Sequence, residues 1–204
     1  MGFTGGVGVA DNWLGHAQDP EHWRDSHFRL EGPAVAQMQA AFMANWMETC
    51  AEVLHGGEYF PELEPAGPHA AQLFMSSAYE ASESVRLMYL LSIASAVRSV
   101  RIANAYFVPD SLAVATLVDA QRRGATVEII VPNHHIDSKL VRRSFRLNDE
   151  ANLNILDRDV AAGQMSQFEQ DMSRSRRVTL EEWRHRPWRE RVSERLAGLL
   201  RLQL

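Results

Sequence analysis

The sequence predicts an α/β fold, and three observations carry that expectation. Between residues 70 and 132, strand-like and helix-like stretches alternate, which implies a sheet with at least some parallel pairing. With 204 residues and 46% hydrophobic content, the chain has enough apolar material for one large domain or two small ones with a sizeable core. Helix-starting and helix-stopping residues, such as Gly32-Pro33, Asp110 and Gly124, stand where the periodicity changes.

The elements follow in order. GFTGGVGVA, residues 2–10, reads as a strand entering a backbone-exposed turn, with glycine used for close packing. It lacks the spacing of a nucleotide phosphate loop. WRDSHFRLEG, residues 23–32, alternates and predicts a second strand. Pro33 suits the first turn of a helix whose buried face is Val35, Met38, Phe42, Trp46 and Met47. From His55 to Pro68 the chain is rich in glycine, proline and acids, a surface connection between two subregions. An apolar run AQLFMSS, a helix from Ser82 to Val97 and a strand SVRIANAYFVP come next. The Ser82–Val97 segment is apolar almost all round but too short to span a bilayer, so a buried crossover helix explains it. A helix from Asp110 to Arg123 is capped by Asp110 or Ser111 and ended by Gly124, and TVEIIVP completes a βαβ unit over Ser99–Pro132 with right-handed crossover. ANLNILD predicts a further strand, followed by a helix with Phe168 and Met172 on its apolar side.

Charge is unevenly spread. Residues 1–173 carry 12 basic and 22 acidic residues, whereas residues 174–204 carry nine arginines against four glutamates. The acidic body disfavours nucleic acid as a partner. The basic tail, with Trp183, Arg184, Arg186, Trp188 and Arg189, suits an anionic phospholipid membrane surface, where each cation contributes about 1 kcal/mol and tryptophan favours the interface. A surface helix packed on its own domain by its leucines is the other reading of that tail. A single cysteine, Cys50, excludes an internal disulfide, and no window has the apolar length of a transmembrane helix or the pattern of a signal peptide. His16, His22 and His27 lie among Asp19, Glu21 and Asp25 at spacings that share no helical face, so they read as loop histidines and no metal is expected. His134-His135 follow a strand and read as loop residues.

Several strings together resemble the bacterial cardiolipin synthases of the phospholipase D superfamily. They are GFTGGVGVADNW, WRDSHFRLEGPAVAQMQAAF, RIANAYFVPD, GATVEIIVPNHHIDSKLVRR and SFRLNDEANLNILD, in the family's order and joined to a tail of the type WRHRPWRERVSERLAGLL. The resemblance implies two similar α/β lobes, each with a mixed β-sheet flanked by helices, and each contributing an HxKxxxxD motif to one site. One histidine would attack a phosphodiester phosphorus and the other would protonate the leaving alkoxide. Fixed cations and amide donors would hold the phosphoryl charge, so no cofactor is implied.

The chain has one lysine, Lys139, and position 137 is Asp137, so these 204 residues contain no HxK. By the resemblance, the first motif falls upstream of GFTGGVG. The second falls between LVRR and SFRLNDE, which here abut at Lys139 to Ser144. Both lobes are therefore expected to be incomplete, and the second should lose a strand and keep an open sheet edge. Gly5 and Gly6, Asp25, and Asn148 with Glu150 match the family's supporting positions. The resemblance gives Glu150, and Asp25 as its first-lobe counterpart, the role of orienting a histidine. The expected organisation is a first-lobe remnant at 1–54, a linker at 55–69, a second lobe at 70–173 and a basic amphipathic tail at 174–204. Function is expected to derive from phosphatidyl transfer, phosphatidylglycerol to cardiolipin, with this chain inactive alone. The alternative is a non-catalytic phospholipid-headgroup-binding protein or a partner of a full-length synthase, through homo- or hetero-oligomer contacts. Its expected place is the cytoplasm, peripheral on the inner face of the cell membrane.

Overall fold

The computed structural model describes residues 1–76, 83–105, 107–132 and 150–185. The chain divides into two compact units, Met1–Ser173 and Arg174–Leu204.

In the first unit, β1 (Gly2–Gly5) and β2 (His27–Leu30) form an antiparallel pair with Gly2 opposite Leu30 and Gly5 opposite His27. The alternating stretch at 23–32 thus contributes only its last part to a strand. Residues before His27 fold back with a 3₁₀ turn at Asp11–Trp13, where the Trp23 N–H donates to the Asn12 carbonyl oxygen.

Helix α1 (Ala34–Cys50) begins directly after Pro33, whose φ of −60° is already helical. Its inward stripe runs through Val35, Gln39, Met43 and Trp46, all of them covered in part and Met43 buried. Phe42 and Met47, expected inside, are 50% and 41% exposed. Each residue turns the helix by about 100°, which carries Met47 past one flank of this stripe, whereas Phe42 projects half-exposed beside Trp46. There Phe42 stacks on the Trp46 ring at 5.8 Å.

Strand β3 (Ala70–Ser76) pairs antiparallel with β6 (Glu150–Leu156) in a seven-residue ladder from Ala70–Leu156 to Ser76–Glu150. Between them in sequence lies a βαβ unit. Strands β4 (Ser99–Ala103) and β5 (Thr126–Ile130) pair in parallel, and α3 (Ser111–Arg122) makes the crossover. Asp110 caps α3 by accepting the Ala113 N–H at 2.8 Å, and Gly124 follows the helix at φ +100°, a conformation that favours glycine. Helix α2 (Ser84–Ser95) packs on α3 and on β3 and β6.

The core cluster lies where α2, β4 and α3 meet: Ile93, Val100, Leu117, Ala120 and Ala125, with Ile102, Phe107 and Val127 packed around it. Helix α4 (Arg158–Arg174) starts at Asp157, whose carboxylate accepts the N–H groups of Asp159 and Val160 at 2.8 and 2.9 Å. Phe168 of α4 is buried, with the Arg101 guanidinium 5.6 Å from its ring centroid. Met172, expected beside it, is 38% exposed, because four residues of helix carry it past the edge of the covered face.

The fold is mixed α/β, as the sequence predicts. Among the described residues its strands form three two-stranded ladders, two antiparallel and one parallel, flanked by helices. In the second unit, α5 (Leu180–Arg184) carries a reciprocal cap: Thr179 Oγ1 accepts the Glu182 N–H and the Glu182 carboxylate accepts the Thr179 N–H.

Candidate functional site

Gly5, Gly6 and Asp25 come together at the end of the β1–β2 pair. The Gly6 N–H donates to the Ser26 carbonyl oxygen at 3.2 Å, and the Gly8 N–H donates to Asp25 Oδ2 at 2.7 Å. Gly5 sits at φ +124°, and a Cβ there would run into the Ser26 carbonyl. A Cβ at Gly6 would lie 2.5–2.8 Å from the Asp25 carboxylate, and one at Gly8 would enter the Trp13 ring. The glycines therefore let the loop close over an exposed carboxylate, beside a T-shaped Trp13–Trp23 pair 4.7 Å apart.

Asn148 lies outside the described residues. Glu150 opens β6 opposite Ser76, its side chain outside the described set. Of the tail positions, Trp183 and Arg184 are on α5, Trp183 being 53% exposed. Arg186, Trp188 and Arg189 lie outside the described residues, as do His134, His135 and Lys139.

His22 and His27 have local partners. His22 Nδ1 pairs with Asp19 at 2.7 Å, which holds that carboxyl below its ordinary pKa, and His27 stacks on Phe3. Among the described residues, no three His, Cys, Asp or Glu side chains gather as a metal site.

A second constellation escaped the sequence reading. A cavity of about 480 Å³ opens beside β4, lined by Arg86, Arg101, Tyr89, Asn104 and Asn152 among aliphatic neighbours. Arg86 donates to Asp110 and Glu83, and Arg101 donates to Glu128 and Glu169 at 3.0 and 3.1 Å. Asp110, with the Ala113 N–H and then Arg86 beside it, is held below the usual carboxylate range. Both arginines are thus fixed by carboxylates, and the Tyr89 hydroxyl donates to Asn152. An arginine inside an otherwise apolar strand, Val100-Arg101-Ile102, is the signal that could have marked this place.

No family model and no solved structure matches the chain. Curated relatives do. Cardiolipin synthase 2 of Staphylococcus epidermidis is 28% identical over 251 positions, covering 98% of this chain and 51% of the relative. The major cardiolipin synthase of Bacillus subtilis is 29% identical over 250 positions with the same coverage, and a cardiolipin synthase of Staphylococcus aureus is 33% identical over 135 positions, 65% of this chain and 27% of the relative. The chain spans about half the length of the curated relatives it matches. An alignment of 251 positions against 204 residues leaves at least 47 positions of the relative facing no residue here. The 135-position match takes up 65% of the chain with hardly any such gap. Sequence similarity along nearly the whole chain, together with the mixed α/β fold, identifies it as a protein related to the bacterial cardiolipin synthases of the phospholipase D superfamily.

Proposed function

We propose that these 204 residues are the framework of a phosphatidyl-transfer protein without its reacting groups, inactive on their own. The observation that carries this reading is the single lysine with Asp137 two residues before it, which leaves the chain with no HxK. In the complete reaction, an imidazole nitrogen would attack the phosphorus of one phosphatidylglycerol and glycerol would leave after taking a proton. The phosphatidyl group would then pass from the histidine to the hydroxyl of a second phosphatidylglycerol. Without a nucleophile and an acid, the first bond cannot form at a useful rate, because the mechanism is removed rather than tuned. What the chain retains is support: the Gly5-Gly6 loop closed on Asp25, and the strand that Glu150 begins.

Anionic phospholipid is the proposed partner surface, met by the arginine-rich tail from the cytoplasmic side of the membrane. Its described part has exposed Arg184 and half-exposed Trp183. Among the described residues, no helix is long and apolar enough to cross a membrane. Phosphatidyl transfer by the purified chain on phosphatidylglycerol vesicles is the direct test. The second reading, a partner of a complete synthase, is favoured by the cavity beside β4.

A further inference from the structure

The cavity beside β4 lies between two strand edges. Every residue of β4, Ser99–Ala103, lines it, and so do the consecutive residues Asn152–Asn154 of β6. Neighbouring residues of a strand point to opposite faces, so a cavity against one face would be lined by every second residue. Consecutive lining residues place it along the edges. No residue of β5 or β3 lines it, so it lies on the side of β4 away from β5 and the side of β6 away from β3.

The backbone hydrogen bonds agree. The Thr126 N–H donates to the Arg98 carbonyl oxygen, and the Asn104 N–H donates to that of Ile130. Residues 98, 100, 102 and 104 therefore face β5, and the backbone groups of Ser99, Arg101 and Ala103 face the cavity. Among the described residues, no strand pairs with that edge. Tyr89 and Ile93 of helix α2, Ala96 at its C-terminal cap and Leu117 of α3 also line the slot.

We propose that this slot is a strand-binding groove, occupied by an extended segment of a second polypeptide that pairs with β4 and β6 together. A strand lies about 4.8 Å from each neighbour, so one strand joins two edges across a slot of this kind. The occupant is a segment of a full-length cardiolipin synthase drawn from the positions, at least 47, that have no counterpart here. Its alternate side chains would be apolar where they meet Ile93 and Leu117, and the intervening ones would lie on the side of Arg101, whose charge Glu128 and Glu169 already neutralise. The choice of peptide rests on the relation to the synthases, and the groove rests on the geometry.

The test uses the whole 204-residue chain and fluorescein-labelled twelve-residue peptides, tiling the unmatched stretch of the Bacillus subtilis relative, read by anisotropy. One peptide or an overlapping pair should bind saturably, and its scrambled version should not. N-methylation at alternate residues should weaken binding at least tenfold, because it removes the edge hydrogen bonds without altering the protein. Ala103→Pro removes an N–H that faces the slot and spares the bonds to β5, and it should weaken binding similarly with the circular dichroism spectrum unchanged. Binding by no peptide, or binding insensitive to both N-methylation and Ala103→Pro, would overturn the proposal, as would a self-dimer in sedimentation that no peptide displaces. Cardiolipin formation by the chain alone would sink the proposed function and leave this result standing.

Discussion

The Arg24 guanidinium donates to both carboxylate oxygens of Asp171, at 3.1 and 2.6 Å, across 147 residues of sequence. Both side chains are largely covered, at 22% and 18% exposure. The fork ties the segment before β2 to α4, so charge joins residues on either side of the glycine- and proline-rich stretch 55–68. Arg24→Ala should destabilise the fold by about 1–3 kcal/mol, the cost of leaving a partly buried carboxylate without its charged donor. Arg24→Lys should recover only part of this, because an ammonium cannot reproduce the two parallel bonds. Denaturant titration of the single variants and of Arg24→Ala/Asp171→Ala gives the coupling, expected at about 1 kcal/mol or more.

The glycine loop gives a ranked expectation. Gly5→Ala combines a positive φ with a clash against backbone and should cost about 2 kcal/mol or more. Gly8→Ala meets the Trp13 ring and should follow, and Gly6→Ala meets only the movable end of Asp25 and should cost least. Asp25→Ala, which strips the Gly8 N–H of an exposed acceptor, should cost about 1 kcal/mol. Thermal midpoints of the four variants check the order.

Acid should weaken the first unit through Asp110 and Asp157. The Ala113 N–H and then Arg86 hold the Asp110 carboxyl below its ordinary value, and the Val160 N–H and then His69 do so for Asp157. A folded pKa below the unfolded one means the unfolded chain binds more protons. The stabilisation is therefore present above the unfolded value of 3.8 and is lost as pH falls through the folded values. Stability measured from pH 6 down to pH 2 should fall below about pH 4, and Asp110→Asn and Asp157→Asn should each flatten that fall.

Much of this architecture was legible because its signals are local. Asp110 and Gly124 bracket α3 by cap and left-handed stop, and Pro33 opens α1. What escaped depends on distant partners. No local period shows that Ala70–Ser76 pairs with Glu150–Leu156 across some 70 intervening residues, or that the strands among the described residues form three separate ladders. Phe42 and Met47 fit a helical stripe on paper, but in the folded chain it is Met43 that is buried. At the candidate site, Gly5, Gly6 and Asp25 were found by family resemblance, and their convergence is a fact of the β1–β2 turn. Arg86 and Arg101 went unnoticed, since the sequence does not show which carboxylates fold back to them.

The basic tail should carry membrane attachment. Cosedimentation with vesicles of phosphatidylglycerol and phosphatidylcholine should retain the 204-residue chain at low salt and lose it progressively as salt rises, since the attraction is screened within a Debye length of about 10 Å at 0.1 M. Removing residues 174–204 should abolish retention. Equal retention without them would mean that the leucines pack the tail on the protein and that lipid binding lies elsewhere.

The most direct test of the central claim is product formation by the purified 204-residue chain given radiolabelled phosphatidylglycerol in vesicles, with a complete bacterial cardiolipin synthase as positive control. The chain should yield no cardiolipin and no glycerol above a mock purification. Cardiolipin formed in proportion to added chain would contradict it, and would require a nucleophile that is not an HxK histidine.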